Sequence, residues 1–228
     1  MNYIDFHSHI LPELDHGSRS VSTSIEQLNL AKKANVGTIL STSHFYPHMH
    51  DAKSFLMKRT KSYEKLMNAI EGEDLPKIVL AAEVLVCEGI QKMPNIDLLC
   101  IENTKSILLE LPSNTTINDN FLDTFYELST DGYDIILAHA DRYDPRDIEK
   151  IVSLGAKIQL NAPSLSGLIT KRYVKNWIDR NLVVAIGSDI HGADAAAYKH
   201  FSRAMAKLKD NASAIMKSSY DIIYKTNI

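Results

Sequence analysis

The segment Tyr3-Ile4-Asp5-Phe6-His7-Ser8-His9 decides how the chain is read. Tyr3–Phe6 is a short strand, and two histidines follow at its C-terminal end. In extended backbone, residues two apart point to the same side, so His7 and His9 can grip one ion. The same arrangement recurs down the chain. Short runs rich in Ile, Leu or Val occupy Thr38–Thr42, Ile78–Glu83, Ser106–Leu111, Asp134–Ala138, Lys157–Leu160 and Leu182–Ile186. At or just beyond their ends stand His44, Glu83, Glu110, His139, Asn161, and finally Asp189 with His191.

Amphipathic stretches separate these runs. The first opens on Thr23-Ser24-Ile25-Glu26, which reads as a capping box, and others fall at about 51–71, 118–130, 145–153, 165–180, 196–208 and 212–224. Seven strands alternating with helices imply a parallel sheet, because each crossover helix returns the chain to start the next strand in the same direction. An open doubly wound sheet and a closed barrel both satisfy that. A polar residue at every strand end favours the α/β barrel, whose chemistry collects on the loops after the strands.

At 228 residues and 45% hydrophobic, a single domain spanning 1–228 is expected. A net charge of −3 offers no broad cationic surface, so nucleic acid is not the expected partner. The longest nearly apolar stretch, Ile78–Val86, contains Glu83 and is far short of the roughly 20 residues a membrane span needs. No basic-then-apolar segment opens the chain, so the expected compartment is the cytoplasm. Cys87 and Cys100 lie in or beside apolar runs and read as buried free thiols.

Several carboxylates gathered in one cavity repel one another unless cations offset them. Imidazole and carboxylate donors without thiolate suit Mn, Fe, Zn or Co, and this many donors exceed what one ion uses, which points to two or three divalent ions. Glu83 and Glu110 are both placed to bridge ions. Other nucleophiles are missing. Neither cysteine has an arginine six positions on, and no Gly-x-Ser-x-Gly elbow, Gly-x-Gly-x-x-Gly turn or Gly-x-x-x-x-Gly-Lys loop occurs. Water activated by metal remains.

The runs His7-Ser8-His9-Ile10-Leu11-Pro12, Asp15-His16-Gly17-Ser18, Thr42-Ser43-His44, Ala82-Glu83, Glu110-Leu111-Pro112, His139-Ala140-Asp141-Arg142-Tyr143, Leu160-Asn161-Ala162 and Ser188-Asp189-Ile190-His191 resemble, in order, the motifs of PHP-domain protein-tyrosine phosphatases. Those are bacterial capsule and exopolysaccharide enzymes. The resemblance implies a distorted (β/α)7 barrel of the PHP type, a three-metal site usually described with manganese, and hydrolysis of phosphotyrosine on a tyrosine autokinase tail. On it we expect His7, His9, His16, His44, Glu83, Glu110, His139, Asp189 and His191 to bind metal. Arg142, His139 and His191 are the expected catalytic residues, and Arg142 and Asn161 the expected substrate contacts.

Three departures stand out. Asp15-His16-Gly17-Ser18 replaces the usual Asp-Asp-Gly-Ser, and His139-Ala140-Asp141-Arg142-Tyr143 replaces His-Pro-Glu-Arg-Tyr. The second arginine that commonly follows the last histidine is absent from Gly192-Ala193-Asp194-Ala195-Ala196-Ala197. Competing readings are a small-molecule PHP phosphatase of the histidinol-phosphate kind, another His-x-His barrel metallohydrolase, or a metal-stabilised binding module. His48, His50, His200 and the run Lys58-Arg59-Thr60-Lys61 read as solvated surface, while Tyr46, Tyr143 and Tyr198 are candidates to stack on an aromatic substrate.

Overall fold

A computed structural model describes residues 2–113 and 117–225 of the chain. Strand β1 (Tyr3–Ser8) pairs with β2 (Val36–Ser41), and β2 pairs with β4 (Lys77–Leu80). A second sheet starts at β3 (His44–Phe45) and runs through β5 (Glu83–Leu85), β6 (Ser106–Glu110), β7 (Asp134–Leu137), β8 (Lys157–Asn161) and β9 (Val183–Gly187). Every pairing is parallel, as the alternation with helices requires.

The described residues thus form nine strands rather than seven, and the register shows why. Ser41 faces Leu80 at the end of one ladder, and His44 faces Glu83 at the start of the next, three positions further along in both strands. The second and third expected strands are each one extended segment, interrupted at Thr42-Ser43 and Ala81-Ala82. The chain after β9 also returns to β1. Asp189 N donates to His7 O at 2.8 Å, His9 N donates to Ile190 O at 3.2 Å, and Ser8 bridges to Ile190.

Helices carry the chain between strands. Helix α1 (Val21–Lys33) begins earlier than its sequence suggests, because the Ser20 hydroxyl accepts from Thr23 N and is the true cap. Asp51 caps α2 (Ala52–Ala69), Asn118 caps α3 (Asp119–Thr130), and Asp144 caps α4 (Pro145–Ser153), whose first turn takes Pro145 without losing a hydrogen bond. The single helix expected over 165–180 is two, α5 (Ala162–Ser166) and α6 (Arg172–Asp179). Gly167 turns extended between them, and Leu168 and Ile169 stand in solvent with no face to bury. Helices α7 (Ala195–Leu208) and α8 (Asp210–Tyr224) complete the chain's described order.

The helices bury one face each. On α3 these are Phe121, Thr124, Phe125 and Leu128, the i, i+3, i+4, i+7 spacing of a stripe laid on a sheet. One connected core results, with Phe6, Phe45, Phe55, Phe125, Trp177 and Phe201 wholly inside it. Three expectations of exposure are corrected: the sequence places Arg59 and His200 at the surface and Cys87 inside. Arg59 is 4% exposed, its guanidinium 5.6 Å from the Phe55 ring centroid and its donors on Ala81 O and Leu98 O. Cys87 is exposed, since it lies past the end of β5, while Cys100 is buried; both are free thiols. His200 is half-buried and shares a 2.6 Å hydrogen bond with Ser166 Oγ. No helix among the described residues is long and apolar enough to cross a membrane.

Candidate metal centre

Glu83 opens β5, immediately after the break in its strand, and is 1% exposed. Its Oε2 lies 3.0 Å from His7 Nε2, 3.3 Å from His9 Nε2 and 3.4 Å from His44 Nε2, and its Oε1 lies 2.7 Å from His139 Nε2. Glu110, at the end of β6, brings Oε1 to 3.5 Å from the same His139 nitrogen. Asp189 approaches from the other side, its Oδ1 3.6 Å from His7 Nε2 and 3.4 Å from His9 Nε2. Residues of β1, β3, β5 and β6 and of the loops after β1, β7 and β9 therefore meet around one carboxylate.

Each imidazole is held from behind. His7 Nδ1 faces Gln159 Oε1 at 3.1 Å, an oxygen that also accepts His139 N at 2.7 Å. His9 Nδ1 and His44 Nδ1 both face Asp15 Oδ2, at 2.9 and 3.2 Å. His139 Nδ1 faces the Tyr143 hydroxyl, which donates to Leu111 O, and His191 Nδ1 faces Asp189 O at 3.0 Å. Acceptors at five Nδ1 positions can hold a proton there and turn each Nε2 inward as the atom offered to a cation, the orientation that metal-binding histidines take from their outer partners. The Nε2 atoms face each other. His7 Nε2 and His9 Nε2 are 3.2 Å apart with Glu83 Oε2 beside both, and His191 Nε2 is buried with no partner. Lone pairs gathered this closely require protons or cations between them.

Four sets of donors lie close enough to share an ion, the ligand atoms of each within 4.8 Å of one another: His9, His44 and His191; His7, His9 and Asp189; His7, Glu83 and His139; His44, Glu83 and Glu110. The donor set, imidazole and carboxylate without thiolate, fits divalent Mn, Fe, Zn or Co. His16 joins none of the four sets. It is exposed, and its ring stacks on His44 and His191 at 4.5 and 4.7 Å between centroids.

The charges of the protein alone show the strain of this crowding. Burial pushes the Glu83 carboxyl up, but the charge of His7 and hydrogen bonds from His139, His7 and His9 outweigh it and hold it well below the usual range. His9 is driven down by burial yet ends well above its ordinary value because Asp15, Asp189 and Glu83 all accept from it. Glu110 is pushed up to about 7 by burial and by the neighbouring charge of Glu83. Burial and His9 take His191 down to about 4. Protons on histidines thus supply positive charge that the carboxylates demand.

Two expected site residues are placed differently. Asn161, at the end of β8, is 4% exposed and uses both ends of its amide within the protein, donating to Asp189 Oδ2 at 2.9 Å and accepting from Gln159. Tyr198 is 3% exposed with its hydroxyl on Asp5, so it cannot stack on a substrate. Arg142 stands at the mouth, half-exposed, with Nη2 on Asp189 Oδ2. His139 and Asp189 both hold left-handed backbone, φ 32° and 54°, a conformation that is costly for residues other than glycine and is found where side chains must be aimed.

Sequence reasoning missed three supports: Asp15, Gln159 and Asp5. Asp15 lies in a quoted motif beside His16, yet nothing local shows that it reaches His9 and His44. Gln159 offers a fainter signal, a polar side chain inside a buried strand two positions before Asn161. Asp5 is fully buried, accepting from Ser188 N, Ser188 Oγ and Tyr198 Oη, and ties the start of β1 to the segment that carries Asp189.

Residues 3–221 match the model of the family described as capsular polysaccharide synthesis, CpsB/CapC. The chain belongs to that family. A Staphylococcus aureus relative named CapC is 32% identical over 199 residues, spanning 82% of this chain and 76% of its own length. The Bacillus subtilis (strain 168) tyrosine-protein phosphatase YwqE is 28% identical over 198 residues, spanning 82% and 77%. A solved structure from a study of YwqE and Streptococcus pneumoniae CpsB, described as unique metal-dependent tyrosine phosphatases, superposes with a TM-score of 0.81 at 21% identity. It covers 99% of this chain and 96% of that one, so the two share their fold over the described residues.

Proposed function

We propose that this chain is a metal-dependent protein-tyrosine phosphatase of capsule or exopolysaccharide regulation, built as one PHP-type (β/α)7 barrel. The backbone contacts of β1 with the segment after β9 support closure of the barrel, and the single connected core supports one domain. The observation that carries the functional reading is the common orientation of five imidazoles, Nδ1 anchored outward and Nε2 turned toward Glu83 and Asp189.

In this reading His7, His9, His44, Glu83, Glu110, His139, Asp189 and His191 hold two or three divalent ions, manganese first among the candidates, with His16 at the rim. Bound there, the ions supply Lewis acidity toward phosphate oxygens and lower the pKa of attacking water. The remaining work falls to the chain. Gln159 and Asp15 fix the tautomers of His7, His9 and His44. His139 and His191 act as neutral donors, since burial lowers both below the ordinary imidazole range. Asn161 acts by orienting Asp189. Arg142, the cation at the mouth, binds phosphate oxygens and offsets the charge they develop as the phenolate leaves. Tyr46, whose ring stacks on His44 at 5.4 Å, forms a wall for the phenol ring. The substrate assigned is a phosphorylated tyrosine autokinase tail in the cytoplasm.

The test is a panel of chelated and Mn-, Fe-, Zn- or Co-reconstituted protein assayed on phosphotyrosine peptides, histidinol phosphate and an oligonucleotide. Metal-restored release of phosphate from the peptides is expected. Preference for histidinol phosphate would replace the protein substrate with a small molecule, and no release under any metal would end the enzymatic reading.

A further inference from the structure

Two stretches that the centre leaves unexplained meet beside it. The loop after β3 and the first turns of α2 border a cleft of about 530 Å3, lined by His48, Met49, His50, Lys58 and Met93 among others. A chain of rings joins it to the centre: Tyr46 lies 5.4 Å from His44 and 5.9 Å from His48, centroid to centroid. A polypeptide whose phosphotyrosine reached the centre along Tyr46 would lay its neighbouring residues here.

The lining has a definite chemistry. Asp51 is the acidic side chain of the cleft, and both its oxygens are used in capping α2, one on Ser54 N at 2.9 Å and one on Ser54 Oγ at 2.7 Å. Lys58 is exposed, and among the described residues no carboxylate pairs with it. Met49, 60% exposed, and the half-buried Met93 add flexible apolar surface that adapts to varied side chains. Asp51 is directed onto its own helix, so the charged group of the cleft left open to a partner is the Lys58 ammonium, with the thioethers of Met49 and Met93 as the apolar surface beside it.

We propose that this cleft is the docking groove for the polypeptide flanking the phosphotyrosine, and that it selects a flank carrying acidic side chains for Lys58 and an apolar one for Met49 and Met93. The proposal rests on the phosphotyrosine reading of the centre. Because the contact is charged and open to solvent, it acts on peptide affinity and weakens with salt.

The experiment compares two phosphotyrosine peptides of equal length, one with glutamates and a leucine flanking the tyrosine and one with lysines replacing the glutamates, together with free O-phosphotyrosine. For the metal-loaded wild type, kcat/KM on the acidic peptide should exceed that on the basic one, with the difference in KM. Lys58→Glu turns attraction into repulsion and should lower that preference about tenfold, and Lys58→Ala about threefold. Met49→Ser should raise KM for the acidic peptide when its leucine is present and not when serine replaces it. An acid-to-base preference the same in wild type and Lys58→Glu overturns the groove. The two readings fail separately. If free O-phosphotyrosine releases no phosphate, the centre is misread, and fluorescence anisotropy of the labelled acidic peptide then decides the groove: binding weakened by Lys58→Glu supports it, and binding indifferent to that change overturns it.

Discussion

A methyl group at position 187 would lie 2.4 Å from the Cβ of His7 and 2.8 Å from Nε2 of Gln159. That glycine at the end of β9 is what lets His7 and its outer partner sit where they do. Gly187→Ala must push His7 aside, and overpacking of this kind costs about 1–3 kcal/mol. We expect a fall of several degrees in melting temperature, by differential scanning calorimetry, with loss of bound metal in the protein that remains folded; unaltered metal content would detach His7 from the centre. Arg142 makes the opposite case, being half-exposed with its guanidinium on Asp189. It is the one arginine the family motifs supply here, since no second follows His191 before α7. Arg142→Ala should lower kcat/KM on a phosphotyrosine peptide by about a hundred- to thousandfold, the usual loss for a charged donor on a transition-state oxygen. Metal content should stay the same. A loss below threefold would mean that another group holds the phosphate.

Among the elements, the interrupted strands do the positioning. The breaks at Thr42-Ser43 and Ala81-Ala82 let one ladder stop and another begin in register, which delivers His44 and Glu83 side by side. Arg59 secures the second break from α2, donating to Ala81 O at 2.9 Å and to Leu98 O at 3.3 Å. Arg59→Met would fill the same space against Phe55 but leave those carbonyls without their donor, and an unmade hydrogen bond to a buried group costs about 1–3 kcal/mol. We expect lower denaturant stability together with weaker metal binding, read by titration of the apo protein; a stability loss with metal affinity untouched would confine Arg59 to the scaffold. Helices α3, α4, α7 and α8 are legible because each has an apolar stripe at helical spacing. The breaks in the second and third strands are not, for Thr42-Ser43 and Ala81-Ala82 carry no glycine or proline and read as continuous strand. Arg59 reads as solvated because its neighbours Lys58 and Lys61 are charged, and periodicity alone does not show a buried guanidinium that finds two carbonyls.

Across the whole molecule, the donors were legible for the reason the fold exists: parallel strands all end on one side, so residues far apart in sequence converge without any local motif. What stayed hidden is the layer behind them. Asp15 and Gln159 act across elements, on His9, His44 and His7, and no spacing within one segment announces that. The same dispersion has a thermodynamic consequence. The donors run from His7 to His191, so the unfolded chain brings no more than His7 with His9, or Asp189 with His191, near one ion. Metal binding therefore belongs to the folded state, and its free energy adds to folding as RT ln(1 + [L]/Kd), about 2.7 kcal/mol at a hundredfold excess over Kd. For a chain of this size 1 kcal/mol moves the melting temperature by about 2–4 °C, so saturating one ion should raise it by roughly 5–10 °C. A manganese titration of chelated protein followed by calorimetry checks this. Because the carboxylates around His7 and His9 raise the pKa of both imidazoles, an ion bound between them must displace protons, and the same titration in two buffers of different ionisation enthalpy should show their release. A melting temperature indifferent to every divalent ion, with no proton release, would leave the facing Nε2 atoms of His7 and His9 without the cation that their arrangement requires.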